Sequence, residues 1–498
     1  LGPRGVLKKV VGVVLRTARS VPALAAAVQS EEDELMDKLE TEFLGIVPDE
    51  HAHVELPAKG SPPEAIIKEC TDRRGAENKF FSGQAHAGIY YSGDELAVVQ
   101  KAVTGMYLSS NILYPGVFKS VRKYEAEICS MVTNMVSGGP VGAVGILASG
   151  GTEAVLLAVK AHREWAEATL GITEPEIVAG ISAHPALDKA CHYLRIKLHK
   201  VATDPKTQRV DISAMKKAMN SNTILLYASA PTFPHGVVDD VEAMAALAQA
   251  AKVGLHVDNC LGGFLLSHMQ ANGDLTRPFD FKVPGVTSMS VDVHKFGCAS
   301  KGVSCVVYHS PEMRRFQYYG TTDWQGGLYA TPTMQGSRGG AVIAGAWATL
   351  IHIGREGYLE KAKQFAVAQR KIVEFVENTE GLQLVGSPDA CAVAFTSDKY
   401  NILHLADRVE KRGGWALTAL QTPPAVHILL GERTLLVLDD MLADIKVEVD
   451  YLLAHPSEPA SGTFVAMYGN NALLPAEEMQ ASLNKYMDLL YKVKPALA

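Results

Sequence analysis

Residues 290–297 read SVDVHKFG. Val291 and Val293 alternate with Ser290 and Asp292, as in a strand, and the run then meets His294, Lys295, Phe296 and Gly297. A strand that delivers a lysine at its tip is unusual, because lysine is rarely buried. Working outward, short β-branched runs recur at EIVAGIS (176–182), TILLYASA (223–230), GLHVDNC (254–260), SMSVDVH (288–294) and SCVVYHS (304–310). VEAMAALAQAAKV (241–253) has helical periodicity and lies between two of these runs. Near-continuous apolar strands alternating with helices predict an α/β fold with a mainly parallel sheet covered on both faces. Ligands bind such sheets at the carboxyl ends of the strands, where Lys295 is expected.

Composition bounds the chemistry. The chain has 498 residues, 47% hydrophobic and 20% charged, as expected for a globular protein of more than one lobe. A net charge of −7 gives no basic field for nucleic acid. The seven cysteines are Cys70, Cys129, Cys191, Cys260, Cys298, Cys305 and Cys391; they are odd in number, scattered, and form no C-x-x-C pair. The pattern predicts no disulfide framework and no zinc site, and a reducing environment. VVGVVLRTARSVPALAAAV (10–28) is the best membrane-span candidate, but Arg16 and Arg19 interrupt it. Residues 4–20 mix Arg4, Lys8, Lys9, Arg16 and Arg19 with Val and Leu. That run reads either as an interfacial helix on an anionic leaflet or as a helix packed on the body or a partner.

Helices are expected over 30–45, 93–110 and 117–137, with a Pro/Gly linker between the first two. A long helical connection runs to about 378, and the tail from about 380 reads as a smaller α+β lobe. The expected divisions are a helical and linker segment (1–120), a large domain (121–370) and a small domain (371–498).

Four features then combine. In GILASGGTEAVLLAVKAHREW (145–165), Ser149-Gly150-Gly151-Thr152 opens a helix. Taken alone it is either an ordinary N-cap or an anion site made of free N–H groups and a positive dipole end. It is not a P-loop, because no Gly-Lys-Ser/Thr follows at the needed spacing. Asp258 ends an apolar strand, His184 stands between a strand and a helix, and Lys295 follows Asp258 by 37 residues. A lysine in a partly desolvated cleft is expected to have a lowered pKa and to act as a nucleophile. Together these features meet the needs of pyridoxal phosphate: a helix N-terminus for its phosphate, Asp258 for its ring nitrogen, His184 to stack on its ring and Lys295 for the imine.

The stretches SGGTEAVLLAVKAHR, SAHPALDKACHY, SAPTFPHGVVDD, HVDNCLGGF, SVDVHKFGCASKG and TDWQGGLYATPTMQGSRGG carry a resemblance from about residue 60 onward. The chain resembles the sphingosine-1-phosphate lyases, fold-type-I pyridoxal phosphate enzymes related to the group II decarboxylases. The resemblance implies a large, mostly parallel, seven-stranded sheet flanked by helices, with a smaller C-terminal α+β domain and a helical N-terminal segment. It implies cleavage of the C2–C3 bond of a phosphorylated sphingoid base to phosphoethanolamine and a long-chain aldehyde. It makes Lys295 the imine lysine, Asp258 the ring-nitrogen partner and His184 the stacking ring, with Gly151 and Thr152 on the cofactor phosphate. Ser337 would reach the phosphate in the neighbouring subunit of a homodimer with shared sites. Tyr91, with Tyr90 as its ambiguous neighbour, Asn111 and Lys301 would handle substrate; a turn-forming Asn and a solvated Lys are the plainer readings of the last two. Tyr114 stands in NILYPG where the family has His, and a neutral phenol cannot supply an imidazolium's charge. Asn259 stands where a small residue is common. Lys301 and the region of Arg338 would meet the substrate phosphate, and the 89–117 stretch would line an apolar path for the tail. Lys295, Lys301 or a tyrosine would move the protons. Kinship also implies the cytosolic face of the endoplasmic reticulum membrane. An amino-acid decarboxylase and a catalytically silent scaffold are the alternatives.

Overall fold

The computed structural model describes residues 53–75 and 93–462, together with 26, 30, 33, 37, 82–84, 88, 90–91, 464–465 and 476–492. The basic run 4–20 and nearly all of the helix expected over 30–45 lie outside the described residues.

Seven strands form the central sheet: β1 (Val144–Ala148), β2 (Glu176–Gly180), β3 (Lys197–Val201), β4 (Thr223–Ser229), β5 (Gly254–Asp258), β6 (Ser288–Asp292) and β7 (Ser304–Tyr308). Their order is β1-β7-β6-β5-β4-β2-β3. Strands β3, β2, β4, β5 and β6 pair in parallel, and only β7 runs against both its neighbours. The sheet is therefore mainly parallel, as the apolar runs predict. Every residue of β2, β4, β5, β6 and β7 is buried, which requires helices on both faces. The two edge strands are less covered: β1 at its first two residues, and β3, sequence KLHKV, along most of its length, where its lysines guard the open edge against pairing with another chain.

The helices that matter for the site are α1 (Asp94–Met106), α2 (Lys119–Met135), α3 (Gly151–Leu170), α4 (Ala186–Leu194), α5 (Val241–Ala251), α6 (Gly263–Asn272) and α7 (Gly340–Asn378). In α5 the Asp240 carboxylate accepts the Ala243 N–H at the N-terminus, and Lys252 turns left-handed (φ 56) at the C-terminus. The long connection α7 is broken at Gly354, whose φ of 63 and ψ of 172 no helix contains. A short hairpin, β8 (Tyr319–Thr321) and β9 (Tyr329–Thr331), precedes it. Beyond α7, β10 (Gln383–Leu384), β11 (Ala392–Thr396), β12 (Thr418–Gln421) and β13 (Pro424–Leu429) form an antiparallel sheet in the order β10-β11-β13-β12, with helices α8 (Ile402–Gly413) and α9 (Glu432–Ala454). Among the described residues no helix is long and apolar enough to cross a membrane.

One expectation needs correction. The strand ends at Asp292, and Lys295 sits three residues beyond it in a turn. The Cys298 N–H donates to the Lys295 carbonyl at 2.8 Å and the Ala299 N–H to the Val293 carbonyl at 3.1 Å, so the chain folds back rather than extending. Gly297 permits this, because a Cβ there would stand 2.4 Å from the Val293 oxygen.

Candidate active site

Strands β1, β2, β4, β5 and β6 point the same way, so the loops after them converge on one edge of the sheet. They enclose a cavity of about 490 Å³ lined by Ser149–Glu153, His184, Asp258, Asp292 and Lys295, with Phe233 and Leu429 on the apolar side. That size suits a small-molecule site.

The loop after β1 leads into α3, whose first turn no side chain caps. Its N–H groups lack intrahelical acceptors, and the dipole makes that end positive. Glu153 reaches back to the Ser149 N–H and hydroxyl, 2.6 Å each, and braces the loop. Residue 151 must be glycine: a Cβ would stand 2.8 Å from Cys260 Sγ and 2.9 Å from Asp292 Oδ2.

Asp258, at the tip of β5, is 8% exposed. It accepts the Tyr227 hydroxyl at 2.6 Å, the Ser290 hydroxyl at 3.2 Å and the Cys260 N–H at 3.1 Å. Burial pushes its carboxyl up, but His184, the Tyr227 hydroxyl, His256 and Lys295 outweigh that and hold it below the ordinary range. It therefore stays ionised. His256, hydrogen-bonded to Ser288 and Ser290 behind it, is pushed down to about 4 by burial and stays neutral.

His184 follows β2. Its Nδ1 accepts the Ala186 N–H at 3.1 Å, which leaves Nε2 to carry the proton and the exposed ring facing the cavity.

Lys295 Nζ lies 3.1 Å from Asp292 Oδ2, and His294 Nε2 lies 3.4 Å from the same oxygen. Here a second expectation is overturned. Burial lowers the lysine's pKa, but the charge of Asp292, with that of Asp258 behind it, outweighs burial and raises the group above its ordinary value. Asp292 is itself lowered to about 2: burial opposes this, and the His294 hydrogen bond and the Lys295 charge prevail.

Gly151, Thr152, His184, Asp258 and Lys295 thus meet around one cavity. Lys301 borders it: its Nζ lies 3.3 Å from the carbonyl oxygens of Gly88 and His294 and 4.8 Å over the Tyr90 ring. Burial, then the charge of Lys295, lowers its pKa. The remaining expected residues do not line this cavity. Tyr91 bonds to Asp94 and lies under the Arg433 guanidinium. Asn111 donates to the Ser337 hydroxyl at 2.9 Å, and Tyr114 is 58% exposed. Arg338 is committed to Glu125 through both terminal nitrogens, at 2.5 and 3.2 Å.

Sequence reasoning missed Asp292 as a site residue and preferred Tyr91 over Tyr90. Tyr90 lines the cavity, edge-on to Phe296 at 5.0 Å. Asp292 carried a signal: an acidic residue on an interior strand of otherwise small and apolar residues needs a partner.

A family profile described as the pyridoxal-dependent decarboxylase conserved domain matches residues 123–398. A sphingosine-1-phosphate lyase of Saccharomyces cerevisiae is 37% identical over 95% of this chain and 81% of its own length. One from Dictyostelium discoideum is 38% identical over 96% of this chain and 89% of its length. The chain belongs to the sphingosine-1-phosphate lyase family. A solved sphingosine-1-phosphate lyase from Burkholderia pseudomallei superposes with a TM-score of 0.82 at 32% identity, over 89% of this chain and 98% of that one. A Lactobacillus brevis glutamate decarboxylase shares the fold alone, at 18% identity and a TM-score of 0.69 over 83% of this chain and 97% of its own.

Membership in this lyase family brings pyridoxal phosphate as cofactor, and the site fits it. Gly151 leaves room against the uncapped end of α3, and Asp292 Oδ1 is buried without a partner beside Lys295. An ionised Asp258 faces the same space.

Proposed function

We propose that this protein cleaves the C2–C3 bond of phosphorylated sphingoid bases, releasing phosphoethanolamine and a long-chain aldehyde. The observation that carries the proposal is the meeting of Lys295, Asp258, His184 and the α3 N-terminus in one cavity, in a chain 37–38% identical to curated lyases of that name. When bound, pyridoxal phosphate supplies the electron sink for the pair released as the carbon–carbon bond breaks.

The chain's own residues do the rest. Gly151 and Thr152 offer backbone N–H groups, and Thr152 a hydroxyl, to the cofactor phosphate. Asp258, ionised, would keep a proton on the ring nitrogen of the bound cofactor. His184 would offer its ring to the cofactor, and Lys295 would supply the amine for covalent attachment. Lys301, lowered by burial, is suited to take the proton of the substrate's C3 hydroxyl.

Arg338 is already paired with Glu125 through both terminal nitrogens, so the substrate phosphate would draw on other donors around the cavity. Met106, Leu108 and Val117 are 73–76% exposed, and they support an apolar path for the tail along the 89–117 stretch.

A homodimer with shared sites is part of this reading. Ser337, Asn111 and Tyr91 do not line their own chain's cavity, and the β8–β9 region exposes Trp324 (58%), Leu328 (84%) and Met334 (64%). The divisions at about 120 and 370 and placement at the cytosolic face of the endoplasmic reticulum membrane, through the basic run 4–20, complete the proposal; fractionation of the full chain tests the placement. The activity is tested by incubation with sphinganine phosphate beside glutamate and an aromatic amino acid. Aldehyde and phosphoethanolamine are expected; carbon dioxide from the amino acids, with no aldehyde, would make the protein a decarboxylase.

A further inference from the structure

The turn that carries Lys295 is strained. Cys298 adopts φ 60, a left-handed conformation that a residue with a side chain enters at a cost and keeps only when its surroundings hold it there. Four contacts hold it. The Gln100 side chain, from α1, donates to the Cys298 carbonyl at 2.9 Å and is fixed by Thr349 of α7, also at 2.9 Å. The Tyr358 hydroxyl, further along α7, donates to the Gly297 carbonyl at 2.8 Å. The Phe296 ring is held edge-on between Tyr90 and Phe365, 5.0 Å from each.

The fourth contact comes from the small C-terminal lobe. The Cys298 thiol donates to Glu432 Oε1 at 3.0 Å, with Lys361 Nζ 3.7 Å from the same oxygen. Glu432 is the first residue of α9, directly after β13, and its Oε2 is buried without a partner. A carboxylate kept in so dry a place is costly unless it holds something. Its acceptor bond falls on the one strained residue of the lysine turn.

We propose that Glu432 is a positioning residue for Lys295: by accepting the Cys298 thiol it pins the strained turn to the small lobe and sets the aim of the lysine amine. The inference rests on Lys295 being the cofactor lysine, but its first test does not need cofactor. Gln100 of α1 and Tyr358 of α7 fix the turn's carbonyls to elements outside the small lobe, and Glu432 makes the aim depend on where the small lobe sits. A shift of α9 would be felt three residues from the reacting amine.

The experiment compares the parent with Glu432→Ala and Glu432→Gln as full chains. In the cofactor-free protein, amide hydrogen exchange at Cys298 and Ala299 is expected to quicken about tenfold or more in Glu432→Ala. Exchange in β4 and α5 should stay as in the parent. Glu432→Gln retains an acceptor oxygen and should restore protection to within about twofold. In the holoenzyme, the pH midpoint of the visible lysine–cofactor absorbance should move by about half a pH unit or more in Glu432→Ala and stay put in Glu432→Gln. Parental exchange and an unmoved midpoint in Glu432→Ala would overturn the proposal, as would quickening spread evenly through β4 and α5. If Glu432→Ala does not fold, Cys298→Ala removes the same bond from the other side: loosening confined to 296–299 supports the proposal and parental protection defeats it. Failure of the lyase assay with these exchange results intact would sink the functional reading and leave the brace standing.

Discussion

Replacing Asp292 with Asn keeps the shape of the side chain and removes the charge that Lys295 and His294 face at 3.1 and 3.4 Å. A carboxyl lowered to about 2 from an ordinary 3.8 favours the folded state by roughly 2 kcal/mol at neutral pH, at about 1.4 kcal/mol per pH unit of displacement. Asp292 is 2% exposed, so solvent screening takes little from this figure. The sign follows from the depressed value. The contribution is complete above about pH 4 and is lost as pH falls through about 2, with roughly half gone at pH 3. Urea denaturation of cofactor-free parent and Asp292→Asn should therefore differ by about 2 kcal/mol between pH 5 and 7, and the gap should narrow below pH 4. The same change acts on Lys295, whose burial is no longer outweighed by its nearest carboxylate. The pH midpoint for its reaction with added pyridoxal phosphate should fall by about one unit or more. Equal stabilities at every pH, or an unmoved midpoint, would refute the assignment of Asp292 as the group that holds the lysine charged.

Asp258→Asn should retain cofactor on Lys295 yet lose about 10- to 150-fold in kcat, because a charge-assisted bond to the ring nitrogen is worth roughly 1.5–3 kcal/mol; steady-state kinetics beside an absorbance count of bound cofactor checks it. Gly151→Ala should weaken cofactor binding about 5- to 150-fold, from an overpacking cost of roughly 1–3 kcal/mol against Cys260 and Asp292, as measured by equilibrium dialysis. Buried His162, His235 and His256, lowered by burial to about 3, 4 and 4, favour the folded state fully above pH 6.5 and lose that contribution as pH falls below it. Buried Asp239, raised to about 6, acts the other way between about 6 and 4. Two uncompensated protons remain, so stability should fall about 3 kcal/mol per pH unit from pH 6 to 4, and a flat urea midpoint over that range would contradict the burial of these rings.

The fold was legible because burial on both faces writes itself as apolar runs: TILLYAS became β4 from end to end. The site was legible wherever a residue type conflicted with its place, as with Asp258 closing an apolar strand or glycines opening α3. Strand ends were less so, because the turn after Asp292 is fixed by Gly297 and by long-range bonds from Gln100 and Tyr358. The charge state of Lys295 depends on Asp292 across one turn, and no propensity encodes that. Tyr90 and Tyr91 are adjacent in sequence; packing on Phe296 points one to the cavity, and Asp94 and Arg433 turn the other away.

The central claim is that Lys295 carries the cofactor at this sheet edge. Borohydride reduction of the holoenzyme, followed by proteolysis and peptide mass mapping, reads it directly. A pyridoxyl group on the peptide containing VDVHKFG, at Lys295, is the predicted result. The same adduct on Lys301 or another lysine, or none on a protein shown to contain cofactor, would contradict it.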